Sequence, residues 1–398
     1  MANQNWRLPE GVEEFLPPQA WALEQLRRRV LDVFNAWGFD YVEPPLVEYL
    51  DALLVGTGSL GHENDLDLQT LKVVDQRSGR MLGVRADMTA QAVRIDAHSL
   101  ATVADEVRRL CYAGPVVLAN PAGPLASRVP IKAGAEIFGS ANLAADAEVV
   151  ALMVEVLEAA GVAAPVVVLG HMGVYSGLVE PFGLDAVVEQ QLFAAVQSKS
   201  ESDIGQLLEG CGDASLLQQL PTMMGGPEVL PVAVRVLQDA PAAARESVAA
   251  LQMLCELVAE RCPGLEVRID LAELAGYGYH NGPIFSAYQA SQGQAVARGG
   301  RYDGIGSAFG RGRAATGFDV SLAQLLEDGA PQGAIWAPWP EAEAREALGA
   351  RVSELRAAGQ RVIASLGGAD AATAACDREL VSLDGAWQVR NINTNQRD

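Results

Sequence analysis

The sequence is poor in the residues that build disulfides, metal centres and redox sites. Its 398 residues include five cysteines and four histidines, and neither set shows a CxxC, HxH or HExxH spacing. An odd number of scattered cysteines is typical of free thiols in a reducing compartment, and metal sites need clustered ligands. We therefore expect a cytoplasmic protein with no disulfide framework, no zinc site and no cofactor.

Positive charge is also scarce. The 29 basic and 50 acidic side chains leave a formal net charge of −21. A field of that sign repels the phosphates of nucleic acids unless a local basic patch overrides it. The densest basic cluster, Arg27 to Arg29, falls on an amphipathic helical segment, where a solvated face explains it. The charge therefore favours a protein that does not bind nucleic acid.

Long apolar runs are missing as well. The most apolar region, residues 149–174, is interrupted by Glu, Gly, Pro and His residues, which predicts a helix and a buried strand rather than a membrane span. No basic segment followed by an apolar stretch marks a signal peptide, so we expect neither a leader nor membrane association. The 49% hydrophobic and 20% charged content is typical of globular domains.

The first fifty residues predict a helix followed by an extended segment. Residues 19–37 carry apolar side chains at three- and four-residue steps, and Gly38 stands at the position of a C-terminal cap. The segment YVEPPLVEY, residues 41–49, is extended because Pro44 and Pro45 exclude a helix.

Two hairpins follow. Residues 70–87 predict two strands around the turn QRSG, and residues 108–119 and 129–140 predict a longer pair of strands. The connection of the second hairpin is unusual, because no Arg, Lys or His occurs between Leu110 and Ser127. Such a hairpin can hold substrate, but its tip offers no cation to a phosphate.

The pattern predicts an α+β fold with two domains. Residues 1–330 form an antiparallel sheet flanked by helices, in which about 175–262 reads as a helical insertion without strands. Residues 331–398 form a small α/β domain, with a strand at 335–337, a helix at 341–358, and then a strand, a helix and strands around DGAW.

Six strings, in order, resemble class II aminoacyl-tRNA synthetases and among them the histidyl enzymes. Residues 19–49 resemble the first motif, which forms the dimer interface in that family. The other five strings are GVRADMTAQAVR (like the family's LRPEGT), YAGPVV…SRVPIKAGAEIFG (second motif), AGYGYHNGPIF (like RGLDYY), GGRYDGI, and ATGFDVSLAQL (third motif). The resemblance covers about residues 7–330 and implies the class II sheet and a homodimer.

Three arginine positions of that family carry other residues here. Leu118 replaces the arginine of the second motif, with Asn120 where an acidic residue is usual. Ala275 replaces the first residue of RGLDYY, and Gln324 replaces the last arginine of the third motif. Amino-acid activation displaces pyrophosphate, and arginine forks stabilise its charge, so losing one such contact costs about 10²–10³ in rate. The resemblance therefore implies a protein without adenylate chemistry.

The resemblance also implies that an amino-acid pocket is retained. A carboxylate and a hydroxyl at the LRPEGT-like string can bind an ammonium group, and a glutamate of the second motif reads the ligand. The positions implied for L-histidine binding are Asp87, Thr89, Arg128, Lys132, Glu136, Tyr279 and His280. Lys132 stands at a family glutamine. Arg298, Arg301, Tyr302 and Asp303 belong to RGGRYDG, where the last two either line the pocket or brace the sheet. We interpret His171 as structural.

The C-terminal segment is shorter than the domain with which histidyl synthetases read tRNA. Together with LGHMGVYSGL and LRAAGQRVI…CDREL, the whole pattern resembles the regulatory subunits of short-form ATP phosphoribosyltransferases, which are paralogues of those synthetases. That resemblance implies a non-catalytic subunit. It would join the short catalytic subunit in a hetero-oligomer of histidine biosynthesis and convey inhibition by L-histidine.

Three alternatives remain open from the sequence. An active histidyl-tRNA synthetase and an enzyme that aminoacylates another carrier both require the phosphate-binding arginines. A stand-alone histidine-binding sensor does not require them, and the sequence does not separate it from a regulatory subunit.

Overall fold

The structure is a computed structural model. It describes residues 7–54, 66–101, 107–120, 126–274, 279–289, 293–326, 333–367 and 376–392. The chain divides into two compact units, one of Met1–Phe15 and Ala22–Glu327 and the other of Leu16–Trp21 and Asp328–Asp398. The division predicted at residue 330 lies outside the described residues.

A nine-stranded sheet organises the larger unit. The strands of this unit are β1 (Asp40–Tyr41), β2 (Val47–Tyr49), β3 (Leu71–Val74), β4 (Met81–Val84), β5 (Arg108–Pro115), β6 (Ile131–Phe138), β7 (Val166–His171), β8 (Met224–Gly225), β9 (Glu266–Asp270), β10 (Pro283–Tyr288), β11 (Ala295–Arg301) and β12 (Ala315–Ser321). The large sheet has the order β1-β5-β6-β12-β11-β10-β7-β9-β8, and β2-β4-β3 form a small separate sheet. Only β1–β5 and β7–β9 pair in parallel among these strands. The predicted α+β fold is confirmed.

Helices surround this sheet. They are α1 (Gln19–Ala36), α2 (Leu50–Leu53), α3 (Leu66–Gln69), α4 (Thr89–Arg94), α5 (Leu143–Ala159), α6 (Met172–Val179), α7 (Ala186–Gln197), α8 (Glu201–Leu207), α9 (Ser215–Gln219), α10 (Val229–Val236) and α11 (Ala242–Arg261). The helix predicted from the apolar steps of residues 19–37 is confirmed as α1, and a π-helical turn, Ile95–Ser99, extends α4.

The region predicted as a strand-free helical insertion is helical with one exception. Met224 and Gly225 pair antiparallel with Asp270 and Ile269 and form β8 at the edge of the large sheet. The prediction that strands are absent there is therefore wrong. A two-residue strand carries no alternating pattern that a sequence could reveal.

The two faces of β6 have different roles. Ala133, Ala135 and Ile137 point into the main hydrophobic core, together with α1, α5 and α11. Because side chains alternate along a strand, Lys132 and Glu136 point to the opposite face of the sheet. That polar face carries the candidate site.

The smaller unit contains a four-stranded sheet and one helix among its described residues. Its elements are β13 (Ile335–Ala337), α12 (Arg345–Ala357), β14 (Val362–Ala364), β15 (Arg378–Leu383) and β16 (Ala386–Asn391), with strand order β14-β13-β15-β16. The predicted strand at 335–337 is confirmed. The helix predicted at 341–358 begins later, because residues 342–344 form a 3₁₀ turn. The helix predicted before CDREL lies largely outside the described residues.

Candidate functional site

Strand register gathers the candidate site on the polar face of the sheet. Tyr112 on β5 lies opposite Gly134 on β6, and Asp319 on β12 lies opposite Gly134 from the other side. Gly317 lies opposite Glu136 in the same way. Directly opposed residues project to the same face, so these side chains share one surface.

Glu136 is the centre of a buried hydrogen-bond network. The residue is 1% exposed. Its Oε1 accepts a hydrogen bond from the Tyr112 hydroxyl at 2.8 Å, and its Oε2 accepts one from the Tyr302 hydroxyl at 2.6 Å. Burial raises the pKa of Glu136 to about 8, although both tyrosine hydrogen bonds act to lower it. The folded protein therefore favours the protonated form of this carboxyl group more than water does.

Two glycines make room for this network. A Cβ added at Gly317 would overlap Glu136 Oε2, and one added at Gly134 would lie 2.6 Å from the Tyr112 ring. Real Cβ atoms do not approach other heavy atoms so closely. These two positions therefore require glycine for close approach and not for backbone conformation.

Three aromatic rings form a wall beside Glu136. The Tyr279 ring lies 5.2 Å from the Tyr302 ring and 5.1 Å from the His280 ring, between centroids. The Tyr279 hydroxyl is buried and makes no hydrogen bond to a described residue. An unsatisfied buried hydroxyl costs free energy, so this group offers a binding contact to a polar ligand.

Three charged side chains, Lys132, Asp87 and Asp319, form a charged row next to the Glu136 network. Lys132 Nζ is 2.9 Å from Asp319 Oδ1 and 3.8 Å from Asp87 Oδ2. Burial lowers the pKa of Lys132, but the two carboxylates outweigh it and raise the pKa, so the side chain is an ammonium. Asp87 Oδ1 accepts from Thr89 N at 2.7 Å, and Thr89 Oγ1 lies 3.1 Å from Tyr112 Oη, which connects the row to Glu136.

Arg128 lies away from this network, at the far end of the β5–β6 hairpin. Its Nε donates to Leu118 O at 3.0 Å, and Leu118 N donates to Arg128 O at 2.8 Å. Asn120 Nδ2 donates to Leu68 O at 2.9 Å. Leu118 and Asn120, which the resemblance places on the phosphate side, therefore bind the backbone, and so does Arg128, which it places in the amino-acid pocket. Ala275 lies outside the described residues.

The residues of the RGGRYDG string have two different roles, since some hold the sheet together and one lines the pocket. Arg301 forms a buried ion pair with Asp146 of α5, with Nη2 2.5 Å from Oδ2. Asp303 Oδ1 accepts from Ala315 N at 2.8 Å, so Arg301 and Asp303 brace the sheet. Tyr302 instead belongs to the pocket through its hydrogen bond to Glu136.

His171 caps α6. Its Nδ1 accepts a hydrogen bond from Gly173 N at 3.1 Å, and burial lowers its pKa to about 4, with Arg301 acting in the same direction. The imidazole is neutral above that pH, which suits the acceptor role of a helix cap.

Sequence reasoning missed Tyr112 and Asp319, which complete the network. Both occur within the strings quoted for the second and third motifs, but neither carries a local signal of its own. Their role depends on the register of strands that are distant in the sequence. Within the described ranges, no group of three or more His, Cys, Asp or Glu residues could hold a metal ion, and no helix has the length and apolar character to cross a membrane.

Two protein families match this chain, one over most of its length and the other over its C-terminal part. The histidyl-tRNA synthetase family matches residues 11–325, and the family described as ATP phosphoribosyltransferase subunit HisZ C-terminal domain matches residues 332–390.

Two relatives cover nearly the whole chain. The ATP phosphoribosyltransferase regulatory subunit of Stutzerimonas stutzeri is 44% identical over 394 residues, which cover 96% of this chain and 97% of the relative. The protein of the same name from Chromohalobacter salexigens is 46% identical over 396 residues, which cover 97% and 98%.

Two solved structures are similar. One, described as an ATP phosphoribosyltransferase regulatory subunit/histidyl-tRNA synthetase from Bacillus halodurans, has a TM-score of 0.78 at 27% identity and covers 93% of this chain and 96% of that chain. A histidyl-tRNA synthetase from Nostoc sp. has the same TM-score at 16% identity, which shows the fold alone; the alignment covers 98% of this chain and 96% of that one.

The match of residues 332–390 and the names of the near full-length relatives agree with a regulatory subunit, and an active synthetase is not favoured. The chain belongs to the family of ATP phosphoribosyltransferase regulatory subunits, and its larger unit has the class II fold of the histidyl-tRNA synthetases.

Proposed function

We propose that this chain is a non-catalytic subunit that activates a short-form ATP phosphoribosyltransferase catalytic subunit and conveys inhibition by L-histidine. The observation that carries the proposal is its near full-length identity to relatives named as regulatory subunits of that enzyme. The polar pocket around Glu136 supports the second half of the proposal, since it combines groups suited to an imidazole with groups suited to an amino acid.

The imidazole of histidine is proposed to bind at the Glu136 end of the pocket. The Glu136 carboxyl group can pair with a ring nitrogen, and the Tyr279 hydroxyl has no other described partner. The rings of Tyr279 and His280 form a wall on which a flat ligand can pack. An imidazole satisfies groups that are otherwise buried at a cost in free energy.

The ligand's ammonium group is proposed to bind near Asp87 and Thr89. The Asp87 side chain is 27% exposed, so a small ligand can reach it. Lys132 lies between the Asp87 and Asp319 carboxylates and holds them in place. Arg128 is not part of the proposed contact set, because it lies at the far end of the hairpin, where its Nε donates to Leu118 O.

The absence of catalysis follows from the residues on the phosphate side of the site. Leu118, Ala275 and Gln324 occupy the positions where a synthetase uses arginine. A neutral side chain stabilises the charge that develops when pyrophosphate leaves far less than an arginine fork does. We therefore propose that the pocket binds its amino acid without activating it.

Two copies of the chain are proposed to pair through the region that resembles the first motif. Strand β2 of this region belongs to the small β2-β4-β3 sheet, one face of which leaves Val47, Tyr49 and Val73 between 42% and 44% exposed. A clustered apolar surface of this kind is typical of a protein interface. The dimer would be the core of the hetero-oligomer with the catalytic subunit.

Reconstitution of the enzyme tests the proposal. The rate at which a short-form catalytic subunit joins ATP to phosphoribosyl pyrophosphate is measured alone, with this chain, and with this chain plus L-histidine. The proposal predicts activation that L-histidine reverses. No activation would contradict the partner, and activation without inhibition would contradict the histidine pocket. Failure of the catalytic subunit to co-purify would favour a stand-alone sensor.

A further inference from the structure

Arg298 is a cation on the pocket face that the proposed contacts do not use. It lies on β11, directly opposite Asp319 on β12 and Ser286 on β10, so its side chain projects to the same face as Glu136. The residue is exposed, whereas its neighbours Val296 and Ala297 are buried. Its positive charge lowers the pKa of both Asp319 and Lys132, in keeping with its position opposite Asp319.

The other cations around the pocket already have partners. These cations, with their partners, are Lys132 (Asp319 and Asp87) and Arg85 (the carbonyl oxygens of Pro44 and Pro115). Arg298 forms no hydrogen bond and no ion pair with any described residue. It is therefore available to an anionic group of a ligand.

The position of Arg298 matches the dimensions of an amino acid that is held at Glu136. Strand β12 separates β6 from β11, and the residue opposite Arg298 lies two positions along β12 from the residue opposite Glu136. Strand spacing and rise place the two Cα atoms roughly 12 Å apart. Both side chains project to the same face of the sheet, so a ligand the length of histidine can bridge the gap between their ends.

The charges along this line complement a zwitterion. Asp319 lies on β12, the strand between those of Glu136 and Arg298, and Lys132 connects Asp319 to Asp87. A ligand whose ring contacts Glu136 would place its ammonium group by these carboxylates and its own carboxylate toward Arg298. The positive charges of Lys132 and Arg298 balance the negative charges of the two aspartates. A ligand without net charge therefore leaves this surface electrically neutral.

We propose that Arg298 binds the α-carboxylate of the amino-acid ligand and selects free amino acids over analogues that lack this group. A guanidinium fork can form two parallel hydrogen bonds with a carboxylate, which gives both affinity and orientation. The inference rests on the proposed function, since its ligand is the amino acid proposed for the same pocket.

Calorimetric titration of the reconstituted complex tests the inference, with L-histidine and histamine as probes. Histamine keeps the ring and the amine of histidine and lacks the carboxylate. Loss of a charged hydrogen bond predicts that Arg298→Ala weakens L-histidine binding by about 10- to 100-fold. Arg298→Lys should restore part of that loss, and histamine affinity should be unchanged. Arg268→Ala is the matched control, because Arg268 is an exposed arginine of the same sheet, paired with Glu266.

The outcomes separate the inference from the function on which it rests. If the wild-type complex binds L-histidine and Arg298→Ala binds it equally well, the inference is wrong and the proposed function stands. Equal losses for L-histidine and histamine would also overturn it, because the residue would then act on the pocket's structure. If the wild-type complex binds no L-histidine, the proposed ligand fails and the inference fails with it.

Discussion

The base and the tip of the β5–β6 hairpin differ in how their side chains are used. At the base, Tyr112 donates a hydrogen bond to Glu136, and Lys132 pairs with Asp87 and Asp319. These polar groups face a pocket. At the tip, Leu118 and Arg128 pair through their backbones, and the Arg128 guanidinium group binds a carbonyl oxygen. The fold can therefore keep a ligand-binding base while the tip serves only as structure.

This difference has a physical cause. A pocket for a small zwitterion needs hydrogen-bond donors, acceptors and balanced charges in fixed positions. Phosphate transfer needs in addition several cations aimed at developing negative charge. Removal of the cations at the tip leaves the base intact. The side chains of the tip and those of the base are carried by the same strands, but among the described residues they form no hydrogen bond with one another.

The largest effect is expected at the base of the hairpin. Glu136→Ala should weaken inhibition by L-histidine about 100-fold or more, because it removes the acceptor for two tyrosines and the proposed partner of the imidazole. Activation of the catalytic subunit should persist. Inhibition curves for the reconstituted enzyme measure both. Unchanged inhibition would exclude Glu136 from the site, and Glu148→Ala on α5 serves as a control.

A smaller effect, on stability, is expected at Gly317. An alanine there would overlap Glu136 Oε2, and overpacking of this kind costs about 1–3 kcal/mol in the free energy of unfolding. Denaturant titration measures the loss. Gly293→Ala is the control, because nothing lies within 4 Å of the added methyl group. Equal stability of both variants would contradict the packing around the carboxyl group.

The pKa of Glu136 predicts a dependence of stability on pH. Its folded-state pKa of about 8 lies above the ordinary value of 4.5, so the folded state favours the protonated form. The resulting stability is fully present below about pH 4.5 and is lost as the pH rises through 8. The glutamine side chain of Glu136→Gln does not titrate. The melting temperature of this variant, relative to that of the wild type, should therefore rise between pH 5 and pH 9. A difference that is constant with pH would contradict burial of the charge.

The smallest effect is expected at the tip. Arg128→Ala should change L-histidine affinity by no more than about twofold, because the half-buried Arg128 side chain is distant from the Glu136 network and binds Leu118 O. This outcome would sharpen the contrast with the base. A loss as large as that of Glu136→Ala would show that Arg128 reaches the ligand, as the family resemblance implies.

The sequence predicted those parts of the fold that depend on neighbouring residues. Helix α1 and the hairpin of β3 and β4 follow from local periodicity and turn residues. The network of the site does not follow in the same way. Tyr302 and Glu136 are 166 residues apart and Lys132 and Asp319 are 187 apart, and only strand pairing brings them together.

Family resemblance recovered part of what periodicity could not. It indicated Glu136, Asp87 and Thr89, which the structure connects through Tyr112. It did not indicate that Arg128 would bind a backbone carbonyl or that Arg298 would have no hydrogen-bond or ion-pair partner among the described residues. Those properties depend on the local surroundings of each side chain, which an aligned motif does not specify.

The central claim is that the pocket recognises L-histidine and cannot activate it. The most direct test measures two quantities on one preparation of the reconstituted complex, namely the binding of L-histidine by calorimetry and histidine-dependent exchange of pyrophosphate into ATP. The account predicts saturable binding with exchange no faster than in a control without protein. Exchange above that control would contradict the loss of phosphate chemistry, and the absence of binding would contradict the retained pocket.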